Sequence, residues 1–136
     1  MSEKIAGGCL CGAVRFEIEG PFDHFYMCHC SRCQKVTGSA HASNLFLPVE
    51  RITWLSGQER IKRFDLPEAK RFARAFCTEC GSPVPFESRA VGILVVPAGC
   101  LEGDPGIRPE GNIFWPDRTP WYDDGLQATR FDSYPK

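Results

Sequence analysis

From Ala13 to Glu19 hydrophobic and polar residues alternate. Val14, Phe16 and Ile18 fall on one side and Arg15, Glu17 and Glu19 on the other. A period of two predicts a half-buried antiparallel strand. Short runs at 22–27, 41–47, 52–55, 60–64, 71–76 and 93–96 predict further strands, each closed by Gly, Pro or a cysteine turn. The last of these, Ile93-Leu94-Val95-Val96, is apolar on both faces and reads as a central strand. One segment differs: 31–37 has no Pro, Ser31 as a possible N-cap and Gly38 as a natural stop, which predicts a short helix. Pro21, Pro48, Pro67, Pro83, Pro97 and Pro109 leave little room for long helices, because an interior Pro removes a donor and clashes with the preceding turn. The expected class is mostly β.

A chain of 136 residues is expected to form a single domain over 1–136. Hydrophobic residues make up 43% and charged residues 24%, enough apolar material for a packed core. Sixteen Lys and Arg against seventeen Asp and Glu leave a net charge of −1, which argues against nucleic acid as a partner. The polar start Met1-Ser2-Glu3-Lys4 and the lack of a long apolar run argue against a secretory signal and a membrane span, so the expected location is cytoplasmic. Near the C-terminus, residues 112–122 carry four aromatics around two prolines. That stretch reads as a loop sealing one end of the core, or alternatively as a wall of a substrate pocket.

Eight cysteines are too few for a disulfide scaffold of this length, and seven fall into three groups: Cys9 and Cys11; Cys28, Cys30 and Cys33; Cys77 and Cys80. Such spacing is a metal-ligand pattern. If 9–11 is extended, Cys9 and Cys11 point to one side. Cys77 and Cys80 achieve the same through a tight turn, and Gly12 and Gly81, each just after a pair, can take positive φ and let the backbone curl around the sulfur. The two pairs together are expected to form a closed, structural zinc site with four thiolate ligands. A redox role for Cys77-Thr78-Glu79-Cys80 is the alternative, and it lacks the βαβ context that a thioredoxin motif needs.

Cys28, Cys30 and Cys33 have no fourth cysteine nearby. Three ligands leave a position on zinc open for a thiol or water, as catalysis needs. The alternatives are that Cys100 closes this site or that its thiols stay metal-free; Cys100 reads more simply as a small buried residue. His29 lies between two ligands and is expected to point away from them, in a hydrogen-bonding role. His24 and His41 read as surface or satisfied core histidines. Arg60, Lys62, Arg63, Lys70, Arg71 and Arg74 read as a solvated strand face, with Arg74 or a neighbour as a possible receptor for a substrate carboxylate.

Gly8-Cys9-Leu10-Cys11-Gly12-Ala13-Val14-Arg15-Phe16, Cys28-His29-Cys30-Ser31-Arg32-Cys33-Gln34-Lys35 and Arg74-Ala75-Phe76-Cys77-Thr78-Glu79-Cys80-Gly81 occur in that order. Together they resemble the glutathione-dependent formaldehyde-activating enzyme family, also called the centromere-protein-V-like domain. The resemblance implies a β-tent of packed antiparallel sheets with a short helix, and a structural zinc on Cys9, Cys11, Cys77 and Cys80. It also implies a labile second zinc on Cys28, Cys30 and Cys33, where glutathione adds to formaldehyde to give S-hydroxymethylglutathione. Many members carry a His where this chain has Asn112, so weak formaldehyde activity is expected. The function expected is that of a zinc-dependent carbon–sulfur lyase joining a glutathione-like thiol to a small aldehyde; the alternative is a non-catalytic, zinc-stabilised binding module.

Overall fold

The computed structural model describes residues 3–135. Eleven strands run in chain order as β1 Lys4–Gly8, β2 Arg15–Glu19, β3 His24–Cys28, β4 Ala42–Pro48, β5 Ile52–Ser56, β6 Ile61–Asp65, β7 Ala73–Cys77, β8 Pro83–Val84, β9 Phe86–Ser88, β10 Ile93–Pro97 and β11 Gly111–Ile113. Helix α1 spans Ser31–Thr37 and helix α2 spans Tyr122–Gln127. The protein is mostly β, as its hydrophobic pattern predicts. Three sheets form, with strand orders β1-β2-β5, β11-β3-β4-β10-β9 and β6-β7-β8. All named pairs are antiparallel except β11 on β3. No helix among the described residues is long and apolar enough to cross a membrane.

The inward positions of all three sheets meet in one apolar core. Phe16 and Ile18 enter from the first sheet, Leu45, Leu47, Leu94 and Val96 from the second, and Ala75, Cys77 and Val84 from the third. Phe16 is fully buried and meets Trp54 edge-on, with ring centroids 5.6 Å apart. A smaller cluster groups Cys28, Cys33 and Ala42 with the half-buried Phe72 and Ile113. The second sheet thus has one end in the main core and the other beside the middle cysteines.

The seven expected strands all form, with ends shifted by a residue or two. β2 begins at Arg15 rather than Ala13 because Ala13 and Val14 belong to the turn that carries Cys9 and Cys11. There Cys9 N–H donates to the Val14 carbonyl at 3.1 Å, and Val14 still buries its side chain completely. β10 is central, between β4 and β9, as its two apolar faces require. β1, β8, β9, β11 and α2 have no counterpart in the hydrophobic pattern: β1 is Gly-rich, and the others have six residues or fewer. The expected helix spans the predicted residues and stops at Gly38, whose φ of 66° is left-handed. Its cap is Cys30 rather than Ser31, since the Cys30 sulfur accepts from Cys33 N–H at 3.3 Å.

Replacing Phe16 by Ala empties the point where the first sheet meets Trp54, and should cost about 3–5 kcal/mol. Urea denaturation followed by tryptophan fluorescence measures this. A loss below about 1 kcal/mol would show that Phe16 is not a core anchor.

Candidate metal centres

The turn between β1 and β2 and the turn between β7 and β8 face each other and bring together Cys9, Cys11, Cys77 and Cys80. Their sulfurs all lie within 4.8 Å of one another. The closest are Cys9 to Cys11 at 3.6 Å and Cys11 to Cys77 at 3.9 Å. Four sulfurs at about 2.3 Å from a central zinc ion would stand about 3.8 Å apart, whereas a disulfide needs about 2.05 Å. These thiols are therefore spaced for a tetrahedral ion.

One expectation is corrected. Cys9 and Cys11 do not lie on an extended strand; a turn closed by Gly12 N–H donating to the Cys9 carbonyl at 3.1 Å brings them together. The turn places Val14 N–H 3.2 Å from Cys9 Sγ. Gly12 at φ 83° and Gly81 at φ 76° do occupy left-handed backbone. Both have open space where a Cβ would stand, so conformation rather than crowding selects glycine there.

Ser82, which the spacing argument passes over, joins the two turns. Its hydroxyl oxygen accepts from Leu10 N–H at 3.0 Å and lies 3.3 Å from Cys80 Sγ. The Ser82 hydroxyl and backbone draw the Cys80 thiol down to about 5. Glu79 N–H donates to Cys77 Sγ at 3.4 Å. Oriented N–H and O–H donors stabilise sulfur as thiolate, the form a metal binds.

The second cluster forms where β3 runs into α1. Cys28 ends the strand, Cys30 caps the helix and Cys33 sits in its first turn, placing the three sulfurs within 4.8 Å of one another. Hydrogen bonding from Cys33 draws the Cys28 thiol down to about 6, while the same bond pushes the Cys33 thiol up. Three negative charges at this distance would repel. A cation at their centre removes that conflict, so the residues fit a metal ion. Cys28 and Cys33 also line a cavity of 350 Å³ between the second and third sheets.

Cys100 does not close this site. It lies in the turn after β10, packs against the main core and donates its thiol to the Pro97 carbonyl at 2.9 Å. Burial pushes its thiol up to about 12. His29 stands outside the ligand group and is fully buried. Its Nε2–H donates to Asn112 Oδ1 at 2.9 Å, and its ring is boxed by His41, Trp115 and Tyr122 at centroid distances of 5.0, 5.2 and 4.9 Å. The hydrogen-bonding role expected of His29 is the one it has. His41 is half-buried near the Ser43 hydroxyl, and His24 pairs with Glu110 at the surface at 3.0 Å.

The aromatic stretch 112–122 supplies two sides of this box, Trp115 and Tyr122. β11 starts it, in parallel register with β3 so that Ile113 is opposite Cys28. Phe114, at φ 56°, then turns the chain and lays Trp115 against His29. Gln34 fastens the loop by donating to the His29 carbonyl at 2.7 Å and to the Asp117 carbonyl at 3.0 Å. The stretch is thus a cover over His29; of its residues Ile113 alone lines the cavity. Of the basic set, Arg60 pairs with Glu79 and Arg63 with Asp65. Arg71 and Arg74 line the cavity, and neither forms an ion pair among the described residues.

A mostly β scaffold carrying a four-thiol and a three-thiol cluster defines a small protein whose cysteines can hold metal ions, consistent with zinc. Residues 4–117 match the family described as glutathione-dependent formaldehyde-activating enzyme, and the chain belongs to that family. A crystal structure of a Rhodobacter sphaeroides protein has a similar fold, with a TM-score of 0.60 at 23% sequence identity, covering 79% of this chain and 98% of that one.

The two clusters should respond differently to loss of a sulfur. Cys11→Ser or Cys80→Ser should lower the melting temperature by 10 °C or more, on the order of 2–5 kcal/mol for a lost cross-link. Cys30→Ser keeps an oxygen to cap α1, and it and Cys33→Ser should melt within about 4 °C of the parent. Thermal melts of the four variants decide the matter, and equal losses in both groups would make the middle cluster a structural site too.

Proposed function

We propose that this chain is a zinc-dependent enzyme of the carbon–sulfur lyase class that joins a glutathione-like thiol to an aldehyde. Cys9, Cys11, Cys77 and Cys80 hold a structural zinc, and Cys28, Cys30 and Cys33 hold a second, labile zinc at the reaction site. The observation that carries this reading is the set of three convergent thiols, two of which line a cavity, in a member of the glutathione-dependent formaldehyde-activating family. Bound there by three ligands, zinc would offer an open position able to hold a thiol as thiolate at neutral pH.

In the reaction the thiol sulfur bonds to the carbonyl carbon, the C=O π bond opens onto oxygen, and the proton lost by sulfur ends on that oxygen. The balance needs no oxidant or reductant. The residues of the chain bind and orient. Arg71 and Arg74 offer guanidinium groups to a carboxylate of the thiol substrate, a pairing that planar guanidinium makes through two hydrogen bonds. Asn112 fixes the His29 ring through Nε2, and Gln34 holds the His29 backbone, so the peptide between Cys28 and Cys30 is held from both sides. The whole of 1–136 acts as one domain, supported by the single core shared by three sheets. Eight unpaired cysteines support a cytoplasmic location, where thiols stay reduced.

Cobalt substitution tests this reading. A thiolate donor added to a three-sulfur site should increase sulfur-to-cobalt charge-transfer absorption as glutathione is titrated, and Cys33→Ser should abolish the increase. A spectrum indifferent to glutathione, together with calorimetry that detects no binding, would leave the chain as a zinc-stabilised binding module.

A further inference from the structure

The cavity beside Cys28 and Cys33 is too large and too apolar for formaldehyde alone. Its 350 Å³ is the size of a small-molecule pocket, whereas formaldehyde has a single carbon. Val84, Phe86, Ile93 and Val95 line it from the second and third sheets, with Phe72 and Ile113 beside the cysteines. Val84 is fully buried and Val95 nearly so, which sets this wall inside the fold. The charged groups lining the cavity are Arg71, which is exposed, and Arg74, which is half-buried and rests on the Phe76 ring at 4.8 Å.

We propose that this cavity receives the apolar tail of the aldehyde, so that the preferred carbonyl substrate is an alkyl or aryl aldehyde rather than formaldehyde. The assignment rests on the thiol-addition reading above. A glutathione-like peptide cannot fill the same space. Its amides, ammonium and carboxylates outnumber the few polar side chains of the lining, Thr37, Ser43, Asn44 and Ser88, and polar groups left without partners resist burial strongly. The peptide's carboxylates belong with Arg71 and Arg74, and the mostly carbon-lined volume is left to the other reactant. With the tail inside, the aldehyde carbon sits at the Cys28 and Cys33 side. There the thiol sulfur bonds to it, the C=O π bond opens, and the sulfur's proton passes to the oxygen, giving a hemithioacetal. An apolar tail also gains affinity with each methylene taken out of water, by about fourfold.

Two measurements test the proposal. In the first, the zinc-loaded protein and glutathione are assayed with formaldehyde, butanal, hexanal, octanal and benzaldehyde. In the second, calorimetry measures binding of the unreactive alcohols methanol, butanol, hexanol and octanol. The proposal expects kcat/KM and alcohol affinity to rise together, about fourfold per methylene until the cavity is filled. Ile93→Trp, which places an indole in the cavity, should weaken octanol binding about tenfold or more; Val91→Trp, in the exposed turn between β9 and β10, serves the same purpose if the first variant does not fold. Catalysis that is fastest with formaldehyde, with no alcohol binding, would overturn the proposal and leave thiol addition standing. Alcohols that bind with rising affinity while no aldehyde reacts would overturn the thiol-addition reading, and with it the assignment of the tail to an aldehyde.

Discussion

Four sulfurs from two distant turns converge within 4.8 Å, and the arrangement of the other elements follows from that convergence. Cys11 and Cys77 stand 66 residues apart in sequence, so a metal shared between them would close β2 to β7 into one loop. On chain-entropy grounds a cross-link of that length contributes about 4 kcal/mol, against about 2 for one spanning the six residues from Cys28 to Cys33. Charge enforces the same constraint, since thiolates this close repel unless a cation stands between them. Val14 N–H beside Cys9 and the Ser82 hydroxyl beside Cys80 favour the ionised form of those two sulfurs, the form a metal binds.

The middle cluster draws its three sulfurs from one short segment of the scaffold. β3 and α1 deliver its three sulfurs, and the C-terminal loop then packs over the intervening His29. Gln34 of α1 donates to both the His29 and the Asp117 carbonyls and so ties the helix, the cysteine segment and the aromatic cover into one hydrogen-bonded unit. Asn112 has a clear part in that unit. It accepts from a fully buried imidazole that would otherwise have no hydrogen-bond partner. On the other side the cavity runs between two sheets, its lining mostly apolar but including Arg71 and Arg74, which form no ion pair among the described residues.

Much of this was legible in the sequence. The alternation of Val14, Phe16 and Ile18 marks a core face, and Phe16 and Ile18 are fully buried in β2. Both cysteine sets are readable from spacing alone, as is the need for glycine after each pair. What escaped depends on tertiary contact. Cys30 outcompetes Ser31 as helix cap because β3 delivers it in extended geometry with its sulfur over Cys33 N–H. Cys9 and Cys11 meet through a turn closed by Gly12 N–H on the Cys9 carbonyl, a geometry that spacing alone does not distinguish from an extended strand. Ser82 acts on Leu10, 72 residues away, and no local pattern announces such a contact. β11 has three residues and gains its strand character only by lying beside β3.

The central claim, that the four-thiol centre holds the fold while the three-thiol centre serves chemistry, is tested most directly by stepwise metal removal. Zinc-loaded protein is titrated with a chelator while released zinc and near-UV circular dichroism are recorded together. The account predicts two phases: one zinc leaves with the spectrum intact, and the second leaves as the tertiary signal collapses. Release of both ions in a single unfolding step, or loss of the more tightly held ion without structural change, would contradict it.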